Sequence, residues 1–221
     1  MIRTSEVARL RQGLYRFFGA ALLAPRVERI EALRASATYL ESMNLEDYAF
    51  YRDWARLVVV IGETENADQL APEYVRLFAA GTSTAYCPPI ESYYRAQGNG
   101  SATAQVVADL EREYRRLGLA AIAATEPPDH AATELEVMSA LCAREAAAWE
   151  TDRANEADAC LSLEAQFLSG HLGRWFPLVR RRIRDSDAGS FYRSLVDAIH
   201  AFVVHDGDLI RSLRRVPGEA L

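Results

Sequence analysis

Ser5–Leu23 reads SEVARLRQGLYRFFGAALL, and in it Val7, Leu10, Leu14, Phe17 and Ala21 recur at steps of three and four. That period puts them on one face of an α-helix, with Glu6, Arg9, Arg11 and Arg16 interleaved. The interleaved charges also predict that this stretch is not a secretory signal, and Pro25 closes it. Working outward, Val27, Ile30, Leu33, Ala37 and Leu40 repeat the pattern, and Tyr48, Tyr51, Ala55, Val58 and Ile61 carry it to a stop at Gly62. Pro72 opens a short helix whose inner face holds Tyr74, Leu77 and Phe78, ending at Gly81. From Thr82 to Gly100 the period fails among Cys87, Pro88, Pro89, Gly98 and Gly100, which predicts a long irregular connection. Val107, Leu110, Tyr114 and Leu117 restore it before Gly118. Asp129 stands where an N-cap belongs, ahead of a helix reaching about Trp149 with Leu135, Met138 and Cys142 inside. Leu161, Phe167, Leu168, His171, Leu172 and Trp175 form the next apolar stretch, ended or kinked at Pro177, and Phe191, Leu195, Ile199 and Phe202 mark a last long helix. No segment alternates with period two. The expected fold is therefore all-α, one globular bundle of about nine helices over residues 1–221, with a hinge placed at 118–128.

Composition removes several functions. The 221 residues carry 25 basic against 31 acidic side chains, a net charge of −6, which argues against broad binding to nucleic acid or anionic membrane. Every basic residue is arginine, so neither a P-loop lysine nor a pyridoxal Schiff base is available. Cys87, Cys142 and Cys160 are odd in number and lack CxxC spacing, which fits a reducing, cytoplasmic setting. The longest uncharged run, Leu77–Ile90, is interrupted by Gly81, Pro88 and Pro89 and is too short to span a bilayer.

Three groups of residues carry candidate chemistry. His130 and Glu134 stand at i, i+4 and share a helix face, so a metal-dependent or redox enzyme using them with His171 is one reading. HExxH and paired Glu-x-x-His patterns are missing, and a capped helix start explains the same residues. His130 oriented by Asp129 could act as a base, but no nucleophile elbow accompanies it. Cys87 reads more simply as a small buried hydrophobe than as a reactive thiol. Second, Tyr74, Leu77, Phe78, Tyr93 and Tyr94 gather apolar groups around the irregular loop, as core or as a groove for an apolar segment with Glu91 and Asp129 at its edge. Third, Arg180, Arg181, Arg182 and Arg184 form a dense basic run, read as a solvated helix end because no groove-reading motif accompanies it. That same lack weighs against a helix-turn-helix regulator.

Taken in order, Glu73-Tyr74 with Leu77-Phe78, Pro88-Pro89 with Glu91-Ser92 and Tyr94, and Pro128-Asp129-His130 with Glu134-Leu135 and Met138 resemble the TorD/DmsD/NarJ family of molybdoenzyme maturation chaperones. Phe167-Leu168, His171-Leu172, Trp175, Pro177 and Phe191-Tyr192 are similar to that family's C-terminal pattern. The resemblance covers about Pro72 to Phe202, and departs from it at Val137 and Ile90, where aromatic residues occur in relatives. It implies a cytoplasmic chaperone, not an enzyme and without a cofactor of its own. Such a protein would bind the N-terminal twin-arginine-type segment of a molybdopterin oxidoreductase catalytic subunit and hold it for molybdenum cofactor insertion before export. On this reading Tyr74, Leu77, Phe78, Pro88, Pro89, Ser92 and Tyr94 line the peptide groove, Glu91, Asp129 and Glu134 face the arginines, and His130 fixes the Asp129 side. The protein would be a monomer or a domain-swapped dimer.

Overall fold

A computed structural model describes residues 4–64, 66–81, 85–96, 99–120 and 126–214. Ten helices follow one another among them: α1 (Thr4–Ala21), α2 (Val27–Glu41), α3 (Tyr51–Glu63), α4 (Ala71–Tyr74), α5 (Glu91–Arg95), α6 (Gly100–Arg116), α7 (Ala131–Glu150), α8 (Ala154–Gly170), α9 (Leu172–Asp185) and α10 (Ser190–Arg214). α4 runs on into a π-helical turn, Val75–Ala79, and no strand occurs among the described residues beyond the isolated bridge of Ile90 with His130. The all-α expectation holds.

α1 lies along α7, and α10 packs against α3, α8 and α9. The apolar face read from Ser5–Leu23 is the wall of this core. Tyr15 and Phe18 meet Phe202 of α10 at 4.7 and 5.5 Å between ring centroids, and Phe17 meets Trp54 of α3 at 4.8 Å. Aromatic contacts of this kind add to the burial of large rings.

Four differences from the expected elements have local causes. The irregular connection contains the one-turn helix α5, too short to show a period. Gly62 lies inside α3 instead of ending it, and nothing within 4 Å would meet a side chain there. Asp129 is not the cap of α7: His130 is, its ring Nδ1 accepting from the Ala132 N–H at 3.1 Å. Pro177 sits within α9, and the chain breaks earlier, at His171, where φ is −121° and ψ −102°. Pro177 is the sixth residue of α9, so the amide it lacks would have bonded the carbonyl of Gly173, a residue exposed to solvent. At Gly118 the backbone takes φ of 68°, the left-handed region open to glycine, and ends α6 as expected. Residues 121–125 of the expected hinge at 118–128 lie outside the described residues.

Inside the bundle, Arg11 is 2 % exposed and joins four helices. It donates to Asp206 of α10 and Glu164 of α8, both at 2.5 Å, and to Glu145 of α7 at 2.6 Å, while the Tyr15 hydroxyl donates to Asp206 at 2.6 Å. Three carboxyls face one guanidinium. Burial outweighs the attraction of Arg11 and raises Glu164 to about 8, so this carboxyl keeps its proton at neutral pH and the cluster avoids one buried charge.

Candidate functional site

The two motif segments predicted to act together do meet. The Glu91 N–H donates to the Asp129 carbonyl and the Ala131 N–H to the Pro89 carbonyl, both at 2.8 Å, forming a short antiparallel clamp around Ile90 and His130. The segment Pro127-Pro128 presents its carbonyls to side chains: Thr133 Oγ1 donates to Pro127 at 2.9 Å and the Tyr114 hydroxyl to Pro128 at 2.6 Å. Asp129 turns a carboxyl oxygen to the Ser92 N–H, 3.4 Å away. His130 is 5 % exposed, and burial lowers its pKa to about 4, so it is neutral at physiological pH. A neutral ring is what its capping bond needs, since Nδ1 must accept.

Beneath the clamp lies a second polar group. Glu91 and Glu134 are both fully buried. The Trp175 Nε1–H donates to both Glu134 oxygens, at 3.1 and 3.0 Å. Burial, reinforced by the neighbouring Glu91, holds the Glu134 carboxyl well above the usual carboxylate range. Glu91 accepts from Arg95 at 2.5 Å and faces His171 Nδ1 at 2.9 Å, while His171 Nε2 lies 3.1 Å from Glu113. Burial disfavours a charged His171, yet the hydrogen bonds to Glu113 and Glu91 prevail and raise it to about 9. His171 is thus an imidazolium held between two carboxylates, joining the α8–α9 break to α5 and α6.

The expected rim is therefore interior. Glu91, Asp129 and Glu134, assigned above to face a partner's arginines, are buried and bonded within the protein. Leu77, Phe78, Pro88, Pro89, Ser92 and His130 are buried as well, and only Tyr74 and Tyr94 of the expected set are partly exposed. The physical reason is that these acidic side chains find tryptophan, histidine and amide donors from elsewhere in the fold, which sequence spacing cannot show, and Glu91 adds Arg95 one turn along its own helix. Tyr74 and Phe78 pack on Tyr192, and Tyr94 stacks on Trp175 with centroids 5.7 Å apart. Cys87 is buried in the same loop and its thiol is pushed up to about 11 by burial, as an inert cysteine should be.

Open surface flanks the clamp on both strands. On the Pro88 side a groove of about 550 Å³ is lined by Tyr86, Pro88, Ile90, Tyr93, Thr103 and Arg182. On the Pro128 side a smaller hollow of about 190 Å³ is lined by Ala20, Leu23, Thr133, Arg16 and the carboxylates Glu126 and Glu136. Glu126, Glu136, Ile90 and Thr103 lie outside the expected set of binding residues, Ile90 marking only a departure from the family pattern, and Arg182 belongs to the run read as a solvated helix end.

The metal reading of His130, Glu134 and His171 loses its geometry, because each is bonded to a different partner. The group among the described residues whose ligand atoms do converge, within 4.8 Å, is Cys142, Glu145 and Glu164. Arg11 already bonds both of those carboxyls, so a guanidinium stands beside any cation placed there. No described helix is long and apolar enough to cross a membrane.

Comparison with known proteins agrees with the motifs. Chaperone protein TorD of Aeromonas salmonicida is 29 % identical over 160 residues, which are 71 % of this chain and 66 % of that protein, just under two thirds of its length. A crystal structure provisionally described as a redox enzyme maturation protein from Archaeoglobus fulgidus shares the fold, with a TM-score of 0.52 at 18 % identity over 92 % of this chain and 91 % of that one. The family model described as nitrate reductase delta subunit matches residues 40–181, which hold both halves of the clamp and its His171 and Trp175 supports, and the chain belongs to that family, the one that takes in the TorD and NarJ proteins.

Proposed function

We propose that the protein is a cytoplasmic molybdoenzyme maturation chaperone, not an enzyme. It binds the N-terminal, twin-arginine-type segment of the apo catalytic subunit of a molybdopterin oxidoreductase and holds that subunit for cofactor insertion. The observation that carries this reading is the clamp: the family's motif segments join in one hydrogen-bonded unit with open grooves on both of its strands. In it, Pro88, Pro89, Glu91, Ser92, Asp129, His130 and Glu134 act from beneath, fixing the loop, and Leu77 and Phe78 back it. Tyr74 and Tyr94 reach its edge. The carboxylates of half-buried Glu126 and exposed Glu136, beside the apolar Ala20 and Leu23, are the groups that meet the client's arginines. Burial of the client's apolar part against such surface supplies the rest of the affinity. The chain works as one unit and as a monomer.

A pull-down from the native host tests this. Wild type is expected to recover an immature molybdoenzyme catalytic subunit. A Glu126→Gln/Glu136→Gln variant, whose substitutions lie at the surface and leave the helices intact, should recover at least about tenfold less, equivalent to one charge-assisted anchor of about 1.4 kcal/mol. An Asp129→Ala/His130→Ala variant should lose the client together with the clamp. Failure of wild type to recover such a subunit while the client is being made would refute the chaperone reading.

A further inference from the structure

The twin-arginine reading puts cations on the client and anions on the chaperone, but the larger groove has the opposite sign. Arg182 forms its rim. Its guanidinium lies 5.5 Å from the Tyr93 ring centroid and donates to the Tyr86 carbonyl at 3.1 Å. Among the described residues no carboxylate lies within 4 Å of Arg182, nor of Arg181 or Arg174 on the same outer side of α9, and all three are exposed. In the same helix Arg180 and Arg184 do have a partner, Asp197, at 2.7 and 3.7 Å. On a chain with a net charge of −6, a cluster of three unpaired arginines is a local inversion of sign.

The walls below this cation are apolar and aromatic. Pro88 is buried, Ile90 and Tyr86 half-buried, and Tyr93 is 38 % exposed, its ring meeting Tyr86 at 5.6 Å. Thr103 of α6 closes the far side. The hollow, about 550 Å³, has room for one or two large side chains below the guanidinium. Arginine held by stacking and one carbonyl keeps most of its donors free, in the fork that suits a carboxylate.

We infer that this groove takes a second segment of the client, one that carries carboxylates next to large apolar side chains: the apolar groups enter between Tyr86, Ile90 and Tyr93, and a carboxylate binds Arg182. The inference rests on the chaperone reading and adds to it. The client is read on both strands of the clamp, cationic residues at Glu126 and Glu136 and acidic residues at Arg182. An acidic peptide is favoured over an anionic lipid surface because the cation borders a hollow that can take apolar side chains and the protein as a whole is acidic.

The test uses the full chain and two fluorescein-labelled peptides of one design, alternating leucine and phenylalanine with either three glutamates or three glutamines. Fluorescence anisotropy should show the glutamate peptide bound at least tenfold more tightly, with affinity falling as salt rises. Arg182→Glu should abolish that preference and leave the glutamine peptide unchanged, while Arg182→Gln, which can still donate to the Tyr86 carbonyl, should give an intermediate loss. Circular dichroism confirms that both variants stay helical. Equal binding of the two peptides, binding of neither, or a preference untouched by Arg182→Glu overturns the inference. So does Arg182-dependent binding to phosphatidylglycerol vesicles without binding of the glutamate peptide, which would assign the groove to lipid. Recovery of the client by wild type in the pull-down, measured separately, shows whether the chaperone reading stands when the groove assignment falls.

Discussion

Replacing His171 with glutamine should remove a stabilisation that depends on pH in a defined direction. In the folded protein His171 is 8 % exposed, with Nδ1 2.9 Å from Glu91 and Nε2 3.1 Å from Glu113, and its pKa is raised from 6.5 to about 9. The folded state binds this proton more tightly than the unfolded chain does. The stabilisation is therefore fully present below pH 6.5 and is lost as pH rises through about 9. A rise from 6.5 to about 9, at about 1.4 kcal/mol per pH unit, corresponds to roughly 3 kcal/mol.

The assay is urea unfolding followed by far-ultraviolet circular dichroism, on wild type and His171→Gln, at several values between about pH 6 and about pH 9.5. Glutamine also loses the ring contact with Phe167, 4.8 Å between centroids, so the variant will be weaker at every pH by an amount that does not depend on protons. The slope is the diagnostic quantity. The stability difference between the two proteins should be largest at the acid end and shrink by roughly 3 kcal/mol toward the alkaline end. Glu164 titrates in both proteins and cancels. A difference that stays constant over the whole range would falsify the assignment of a charged His171, and with it the account of how Glu91 is tolerated in the interior.

Four further substitutions test other parts of the fold. Arg11→Met leaves Glu145, Glu164 and Asp206 without their cation and should cost about 3–5 kcal/mol in urea unfolding, or prevent folding. In Glu164→Gln the stability should vary less with pH. The wild-type carboxyl, raised from 4.5 to about 8, contributes fully below 4.5 and its contribution is lost as pH rises through about 8; an unaltered profile would place the shared proton elsewhere. Gly173→Ala puts a Cβ 2.8 Å from the Leu168 carbonyl oxygen, a backbone atom with little freedom to move, and should lower stability by about 1–3 kcal/mol; a melting temperature equal to wild type would contradict the close approach of α8 and α9. His130→Ala removes the α7 cap and should cost about 1 kcal/mol near neutrality. Because burial lowers His130 from 6.5 to about 4, wild type should also weaken as pH falls through that window while the variant should not, which hydrogen exchange in α7 can follow.

How far the sequence could be read depended on the length over which each signal is carried. α1, α2 and α7 repeat an apolar period over many residues, and their bounds fall within a few residues of the expected ones; the last helix, marked by Phe191 to Phe202, runs on to Arg214. α5 has five residues, shorter than two turns, and its segment looked irregular because no period fits within it. The α8–α9 break at His171 was misplaced to Pro177, since proline is a visible breaker and the ion pairs that hold His171 come from residues 58 and 80 positions away. The site divided in the same way. Motif order identified which segments meet, and Glu91 does face the helix that carries Glu134. Whether those carboxylates point outward was decided by Trp175 and His171, donors on elements whose placement only the fold supplies.

The buried motif and the exposed grooves serve different ends. A loop that passes through the interior must pair every donor it brings, and an unpaired amide costs as much as a lost hydrogen bond. Pro88, Pro89, Pro127 and Pro128 have no amide to pair, while the carbonyls of Pro89, Pro127 and Pro128 accept from Ala131, Thr133 and Tyr114. Pro88 and Pro89 thus carry buried backbone past the core without bringing amides that need partners, while Pro127 and Pro128 do the same nearer the surface, and together they fix the local geometry from which Ile90, Tyr93, Glu126 and Glu136 project. Substitutions in the clamp should act on all clients alike by deforming both grooves at once. Substitutions at Glu126, Glu136, Tyr93 or Arg182 leave the backbone bonds in place and change only what the grooves offer, so under the proposed function client preference would reside in these residues, outside the motifs that identify the family.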